Sequence, residues 1–391
     1  MHEDFTFLLD LAVILTFANL GGFVSRKLKQ PAVLGQILAG LVLGPSILNI
    51  INTDMAITQM AEIGIILLMF IAGLETDIED LRASGKSSAF IAIGGVLIPL
   101  IFGGLTVYLF KPGDNLIEAL FVGVILTATS ISVTVQSLKE LGVLRSRQGV
   151  GILGAAIIDD VLGIVLLTLV TGLITPAETT NITIVIIKII SFFLLSIGLG
   201  VAFSKMLIKY SDAISRENRV LTVALIFCFS LAFVAEEMGV AAIIGAYFTG
   251  VAISATPHRN RVSNEIQRIA YQLFTPIFFV NIGLKVNLTG VGGNIGLSIA
   301  LIFAAIMGKI VGSGVGAKIS HFSNREALQV SVGMIPRAEV ALIVTNLGLK
   351  IGVIGNDIFT AVILMVLVST IITPPLLKLS FGGSGTPNEC A

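Results

Sequence analysis

Gly149-Val-Gly-Ile-Leu-Gly-Ala-Ala-Ile-Ile-Asp159-Asp160-Val-Leu-Gly163 reads as a membrane-spanning helix with two adjacent carboxylates at its middle. The apolar run around it covers 148–172. Each aspartate therefore stands about ten residues, or about 15 Å, from either end of a helix rising 1.5 Å per residue. An ionised aspartate at that depth costs about 2.5–3.5 kcal/mol on insertion scales. Two in a row are tolerable only where they face a wet cavity, meet a cation or hold protons. Neighbouring helical positions point about 100° apart, so one carboxylate can face a partner helix while the other faces a cavity. Such a pair can exchange a proton for a metal cation. The plainer alternative is a static ion pair.

The rest of the chain suits a membrane setting. Its 391 residues are 55% hydrophobic and only 12% charged, with a mean hydropathy of +1.00, whereas about a quarter of a soluble domain is charged. The 24 basic and 24 acidic residues cancel, which leaves no strongly basic face for nucleic acid. Cys228, Cys390 and three scattered histidines give neither a disulfide framework nor a metal cluster. No cofactor and no enzymatic activity are expected. The first apolar run, from Phe5 to Phe23, follows Glu3 and Asp4 and precedes Arg26, Lys27 and Lys29. That is the reverse of a signal peptide's charge order, so the run is read as a first span.

Thirteen apolar stretches are long enough to be spans: 5–25, 32–48, 58–74, 86–110, 116–137, 148–172, 182–209, 219–236, 240–256, 268–286, 294–318, 325–347 and 357–380. They are continuously apolar and lack the alternation of a barrel strand, so helices are expected. Loop charge supports the count. Alternate connections hold Arg26, Lys27 and Lys29; Arg82 and Lys86; Lys139, Arg145 and Arg147; Lys205, Lys209, Arg216 and Arg219; Arg259, Arg261 and Arg268; Lys318 and Arg325; and Lys378. The opposite set holds only Lys111, Lys285 and Lys350. Basic loops lie in the cytoplasm, which places the N-terminus outside and the C-terminus inside.

A shift of 210 residues partly superposes the chain on itself. Ala32-Val-Leu-Gly35 and Gly40 fall on Ala242-Ile-Ile-Gly245 and Gly250, Gly73-Leu74 on Gly283-Leu284, and Gly123 on Gly333. The shift moves span 2 onto span 9. An odd number of spans inverts the second half, and inverted repeats with a mid-membrane site mark secondary transporters. Chance similarity among glycine-rich spans is the alternative. The same shift carries Thr127-Ala-Thr129-Ser130 onto Arg337-Ala-Glu339-Val340, just after Pro336. These are the polar, breakable points of two apolar spans. Helices broken at matching places would offer carbonyls and helix ends to an ion.

Lys309 lies mid-span in Ile306-Met-Gly-Lys309-Ile-Val-Gly312, and its nearest counter-charge is the aspartate pair. Either it competes with an incoming cation for a carboxylate, or it neutralises one and holds two helices together. Arg337 and Glu339 are read as structural, paired across the break or satisfying freed backbone groups. Glu236 and Glu237 read as a solvated rim, Lys188 as snorkelling, and Asn281 as a helix–helix hydrogen bond. His258 and His321 fall in cytoplasmic loops and are assigned no special role.

Gly154-Ala-Ala-Ile-Ile-Asp159-Asp160-Val-Leu-Gly163, the lone Lys309 and Met334-Ile-Pro-Arg-Ala-Glu-Val-Ala-Leu342 resemble the bacterial monovalent cation:proton antiporter-2 family, its sodium/proton antiporters above all. Gln30-Pro-Ala-Val-Leu-Gly35, Gly44-Pro45 and Gly73-Leu-Glu-Thr76 extend the resemblance nearly end to end. The family's usual Pro-Arg-Gly-Glu stands here as Pro336-Arg-Ala-Glu339.

The resemblance implies an all-α integral membrane fold with 13 transmembrane helices, an inverted repeat and two broken crossing helices. It implies a homodimer in the plasma membrane, and a role in pH homeostasis. Residues 1–85 (spans 1–3) and 211–290 (spans 8–10) would form a dimerisation domain. Residues 86–172 (spans 4–6) and 291–380 (spans 11–13) would form a mobile core, with 173–210 linking them and 381–391 a short cytoplasmic tail too small for the nucleotide-binding domain of potassium-efflux relatives. By the same resemblance Asp160 is the main cation ligand, and Asp159 bridges to Lys309 and releases it as cation or proton binds. Thr127, Thr129, Ser130, Arg337 and Glu339 would border the ion path. The expected activity is exchange of protons for Na⁺ or Li⁺, with electrogenic coupling. A K⁺/H⁺ antiporter of the same fold is the nearest alternative and an organic-anion symporter a more distant one.

Overall fold

The computed structural model describes residues 6–51, 55–111, 116–174, 182–209, 220–286 and 295–382. Arg216, Arg219, Cys390 and the tail beyond Gly382 lie outside them. Each expected span is helical over most of its described residues, and nine helical stretches among the described residues are long and apolar enough to cross a membrane.

The first four helices are α1 (Thr6–Lys27), α2 (Ala32–Leu43), α3 (Met55–Glu75) and α4 (Ile78–Phe110). Helix α2 stops five residues before the expected 48. Gly44 precedes Pro45 and is extended, at ψ −174°, because a residue before proline is pushed out of the helical region. Helix α4 starts eight residues earlier than expected, because the Asp77 side chain accepts from the Glu79 N–H and caps it.

The fifth span is broken into α5 (Leu116–Thr127) and α6 (Ile131–Glu140), and α7 (Arg147–Ile174) carries the aspartates. Helices α8 (Ile182–Lys209), α9 (Val220–Glu237) and α10 (Ala242–Ser254) follow. The tenth span is not one helix. It comprises α11 (Arg259–Ile269), a π-helical turn (Ala270–Phe274) and α12 (Thr275–Leu284). Pro276, at the start of α12, has no N–H to give the preceding turn, and the ladder slips there. Next come α13 (Ile295–Ile319), the second broken span as α14 (Asn324–Gly333) and α15 (Glu339–Lys350), and α16 (Asn356–Phe381).

Two sets of helices emerge from the packing. Helices α1, α2, α3, α9, α10, α11 and α12 pack on one another; α4, α5, α6, α7, α13, α14, α15 and α16 form the other set. Helix α8 touches α7 on one side and α9 and α10 on the other, while α6 and α16 meet α2 and α6 meets α3.

Glycines set the closest approaches. A Cβ on Gly40 would run into the Val280 carbonyl, and one on Gly283 into that of Ile37. A Cβ on Gly73 would strike the Tyr247 carbonyl, and one on Gly250 that of Phe70. The two crossings, α2 with α12 and α3 with α10, are images of each other under the 210-residue shift. Gly35 against Gly21 and Gly245 against Leu231 form a third matched pair. The sequence match at Gly123 and Gly333 has no such basis: Gly123 packs on the Leu100 carbonyl, Gly333 on the side chains of Ile152 and Thr134. In the second set, Gly308, Gly312 and Gly316 lay α13 against Pro99, Gly94 and Phe90 of α4, a small-residue stripe at every fourth position.

Four charged contacts clip the ends. On one side Lys139 Nζ lies 2.5 Å from Glu75 Oε1, and Glu140 Oε2 accepts from the Ala32 N–H at 2.6 Å. Both join α6 to the other set of helices. On the opposite side Lys111 reaches Glu118 at 3.3 Å and Asp357 at 2.8 Å. Partial burial opposes charge on Lys111, but the hydrogen bond to Asp357 and the fields of both carboxylates outweigh it and hold its ammonium above the ordinary lysine value.

Candidate functional site

The two broken spans cross at their breaks. Residues 128–130 are unwound between α5 and α6, and 334–338 between α14 and α15. The Ser130 N–H donates to the Pro336 carbonyl at 2.7 Å, and the Thr134 hydroxyl to the Gly333 carbonyl at 2.6 Å. The crossing thus supplies partners for backbone groups that no helix satisfies.

Arg337 closes the crossing. It is fully buried. Its guanidinium donates to the Leu126 carbonyl from Nε at 3.2 Å and Nη2 at 2.6 Å, to Ile335 at 2.8 Å and to Ala305 at 3.1 Å. The cation thereby sits at the C-terminal end of α5, where orphan carbonyls and the helix dipole favour positive charge. Satisfying freed backbone, one of the two structural roles expected for it, is present in the geometry. Glu339 begins α15, and its side chain lies outside the described positions.

The aspartates part as their helical step requires. Asp159 is 2% exposed. Its Oδ2 accepts from the Thr129 hydroxyl at 2.5 Å, and Lys309 Nζ lies 3.2 Å from both carboxylate oxygens. Lys309 is fully buried. It follows Gly308 on the stripe facing α4, and Gly95 leaves room for it: a Cβ there would meet Ser313 Oγ at 2.7 Å and Lys309 Nζ at 3.6 Å. Asp160, half-buried, opens on a cavity of about 10 Å³ bounded by Met69, Ile131, Ile157 and Tyr247. That is space for about one water-sized sphere. One helix therefore carries a carboxylate closed by a lysine and a hydroxyl beside a carboxylate with a void in front of it.

Thr129, Asp159 and Lys309 come together, with Asp160 and the Arg337-capped break adjoining. The other candidates disperse. Thr127 turns back to its own helix, donating to the Val124 carbonyl at 2.8 Å. The Ser130 hydroxyl lies 3.0 Å from that of Ser132. Asn281 does not make the bridge expected of it through Oδ1, which is buried without a partner among the described residues. Glu236 is more than a solvated rim, since its Oε2 accepts from the Ala242 N–H at 3.2 Å and caps α10. Lys188 is exposed. His258 is buried, while His321 is exposed in a left-handed turn at φ 59°. No group of three or more metal-ligating side chains occurs among the described residues. The Lys139–Glu75 contact was not foreseen. In the sequence both residues look like solvated loop charges.

Residues 12–379 match the family described as "Sodium/hydrogen exchanger, transmembrane". The Na⁺/H⁺-K⁺ antiporter GerN of Bacillus cereus is 38% identical over 97% of this chain and 97% of its own. The probable Na⁺/H⁺ antiporter GerT of the same species is 41% identical over 96% and 99%, and an Enterococcus hirae Na⁺/H⁺ antiporter is 36% identical over 94% and 96%. Among solved structures, the sodium proton antiporter MjNhaP1 of Methanocaldococcus jannaschii superposes with a TM-score of 0.73 over 96% of both chains, at 18% identity. That likeness establishes the fold.

Proposed function

The chain belongs to the sodium/hydrogen exchanger family, and on that premise we propose that Asp160 binds the transported cation while Asp159, Thr129 and Lys309 manage the proton. The protein is a secondary antiporter that exchanges protons for a monovalent cation, Na⁺ in the first place. The observation that carries the assignment of roles is the unequal environment of the two aspartates. Asp159 is closed by Lys309 at 3.2 Å and Thr129 at 2.5 Å, whereas Asp160 faces a cavity. A cation arriving at Asp160 lies next to the Asp159–Lys309 pair. Its charge opposes that of the ammonium, so binding loosens the bridge and favours loss of a proton. Reprotonation restores the bridge and drives the cation off.

We extend the reading to the architecture. The chain crosses the plasma membrane thirteen times, N-terminus outside and C-terminus in the cytoplasm. Residues 86–172 and 291–380 move as a core past residues 1–85 and 211–290, which pair two copies into a homodimer. The packing supports this division: the two sets of helices meet through α6, α16 and α8, while within each set glycines bring backbones together. K⁺ as a second cargo is favoured by one observation, the Na⁺/H⁺-K⁺ activity in the name of the GerN relative.

The test is exchange in proteoliposomes, with Na⁺, Li⁺ or K⁺ added outside and internal pH read by a dye. Asp160→Asn abolishes cation-driven pH change while the protein still inserts and purifies. Exchange by the mutant at the parent's rate refutes the assignment of Asp160.

A further inference from the structure

Two cavities lie end to end between the helix sets. The small one holds Asp160. The larger, of about 130 Å³, is bordered by Glu75, Thr76, Asp77, Arg145 and Arg259, at the helix ends that carry the basic loops. Leu153 lines both cavities. It stands on α7 seven positions before Asp160, two turns or about 10.5 Å away on the same face, and it is 1% exposed. Across from it, the two remaining walls are tied to each other. Tyr247 of α10 borders the inner cavity and Thr76 of α3 the larger one, and the Tyr247 hydroxyl donates to Thr76 Oγ1 at 3.1 Å. Thr76 is fixed in turn by donating to the Ala72 carbonyl at 2.8 Å.

We propose that Leu153 and the Tyr247–Thr76 pair form the cytoplasmic gate of the ion path, dividing a charged vestibule from the Asp160 cavity. An apolar side chain from one helix set lines both cavities opposite a hydrogen-bonded pair from the other, so a shift of α7 along α3 and α10 opens or shuts the passage. A hydrated cation that reaches the vestibule meets Asp77 and Glu75, the latter bridged to Lys139, beside Arg145 and Arg259, and no continuous polar surface inward. Leu153 must move aside, or the Tyr247–Thr76 bond must break, before it reaches Asp160. The proposal rests on the antiporter reading for the identity of the cargo, but not for the existence of the barrier.

The test reads access without transport. Ile157 borders the inner cavity. In a Cys390→Ser background, whose remaining Cys228 is fully buried, Ile157→Cys is exposed in inside-out vesicles to a membrane-impermeant cationic methanethiosulfonate. Labelling is slow in that background. It becomes roughly five- to tenfold faster when Tyr247→Phe is added, the factor expected from losing one net hydrogen bond, and faster again with Leu153→Ala. Arg145→Cys, in the vestibule, labels at one rate in all backgrounds. Equal rates at Ile157→Cys with and without either gate substitution overturn the proposal, and so does labelling from the outer face alone. Tyr247→Phe keeps the ring and decides the matter where Leu153→Ala disturbs folding. Na⁺/H⁺ exchange by the Cys390→Ser parent is recorded in the same vesicles. Absent exchange with the expected labelling defeats the antiporter reading and leaves the gate; normal exchange with flat labelling does the reverse.

Discussion

Replacing Lys309 by methionine leaves Asp159 with the Thr129 hydroxyl and the more distant charge of Arg337, in a site closed to solvent. The ammonium stands 3.2 Å from both carboxylate oxygens. At an effective dielectric of about 20, unit charges at that distance attract by about 5 kcal/mol. A lone carboxylate can instead take a proton, and holding a group of ordinary value about 3.9 protonated at pH 7 costs about 4 kcal/mol. The loss is therefore about 3–4 kcal/mol at pH 7 and falls by roughly 1.4 kcal/mol for each pH unit of acidification. Asp159→Asn leaves Lys309 unpaired and costs a similar amount, although it still accepts from Thr129. The double variant leaves neither charge and recovers most of the loss. The assay is a double-mutant cycle by detergent-induced unfolding at pH 7 and pH 5, followed by circular dichroism. Single variants that each cost under about 1 kcal/mol, with additive effects in the double, refute a buried ion pair; interhelical hydrogen bonds in membranes average only about 0.6 kcal/mol.

Arg337→Met removes the donor shared by the Leu126, Ile335 and Ala305 carbonyls and costs upwards of about 2 kcal/mol; Arg337→Lys does not rescue it, because an ammonium lacks the fork that spans three acceptors. Gly250→Ala drives a methyl into the Phe70 carbonyl and destabilises by about 1–3 kcal/mol, whereas Gly163→Ala, with nothing within 4 Å, is silent in the same unfolding assay. Glu326 accepts from the Ser323 N–H at 2.8 Å and caps α14. That backbone bond and the Ser323 hydroxyl hold its carboxyl below the ordinary value. The capping contribution is thus present above the ordinary glutamate value and lost as pH falls through the depressed one. The melting difference between the parent and Glu326→Gln should therefore shrink over that acid window; a constant difference refutes the capping role.

Much of this architecture was legible because lipid is a strict solvent. Apolar length fixes where helices run, and loop lysines and arginines mark one side. The 210-residue match was legible because three of its glycine pairs, Gly35 with Gly245, Gly40 with Gly250 and Gly73 with Gly283, make the same kind of backbone contact in both halves; Gly123 and Gly333 matched without sharing a contact. That one of the two aspartates could face a partner helix followed from the helical step; that it is Asp159, and that it meets Lys309, followed from the family resemblance. The limits are equally physical. Breaks inside an apolar span leave no gap in hydropathy, so the exact unwound residues and the π-helical turn beside Pro276 needed coordinates. Arg337 has no local sign that its target is a carbonyl of α5, about two hundred residues away in the chain. The Tyr247–Thr76 bond joins a residue inside the span 240–256 to one just past the span 58–74, with no sequence sign that they meet, and Leu153 is one leucine among many.

The matched glycine crossings have a mechanical consequence. Where backbones touch with no side chain between them, a sideways step of even an ångström drives atoms together, so the crossings of α2 with α12 and α3 with α10 resist shear and leave little internal slack. The seam of α7 with α3 and α10 is of another kind, lined by Leu153 and Ile157 of α7, Met69 of α3 and Tyr247 of α10, whose rotamers can change as one surface passes another. Stiffness is placed where displacement would be wasted, and compliance along the line on which Asp160 would have to travel.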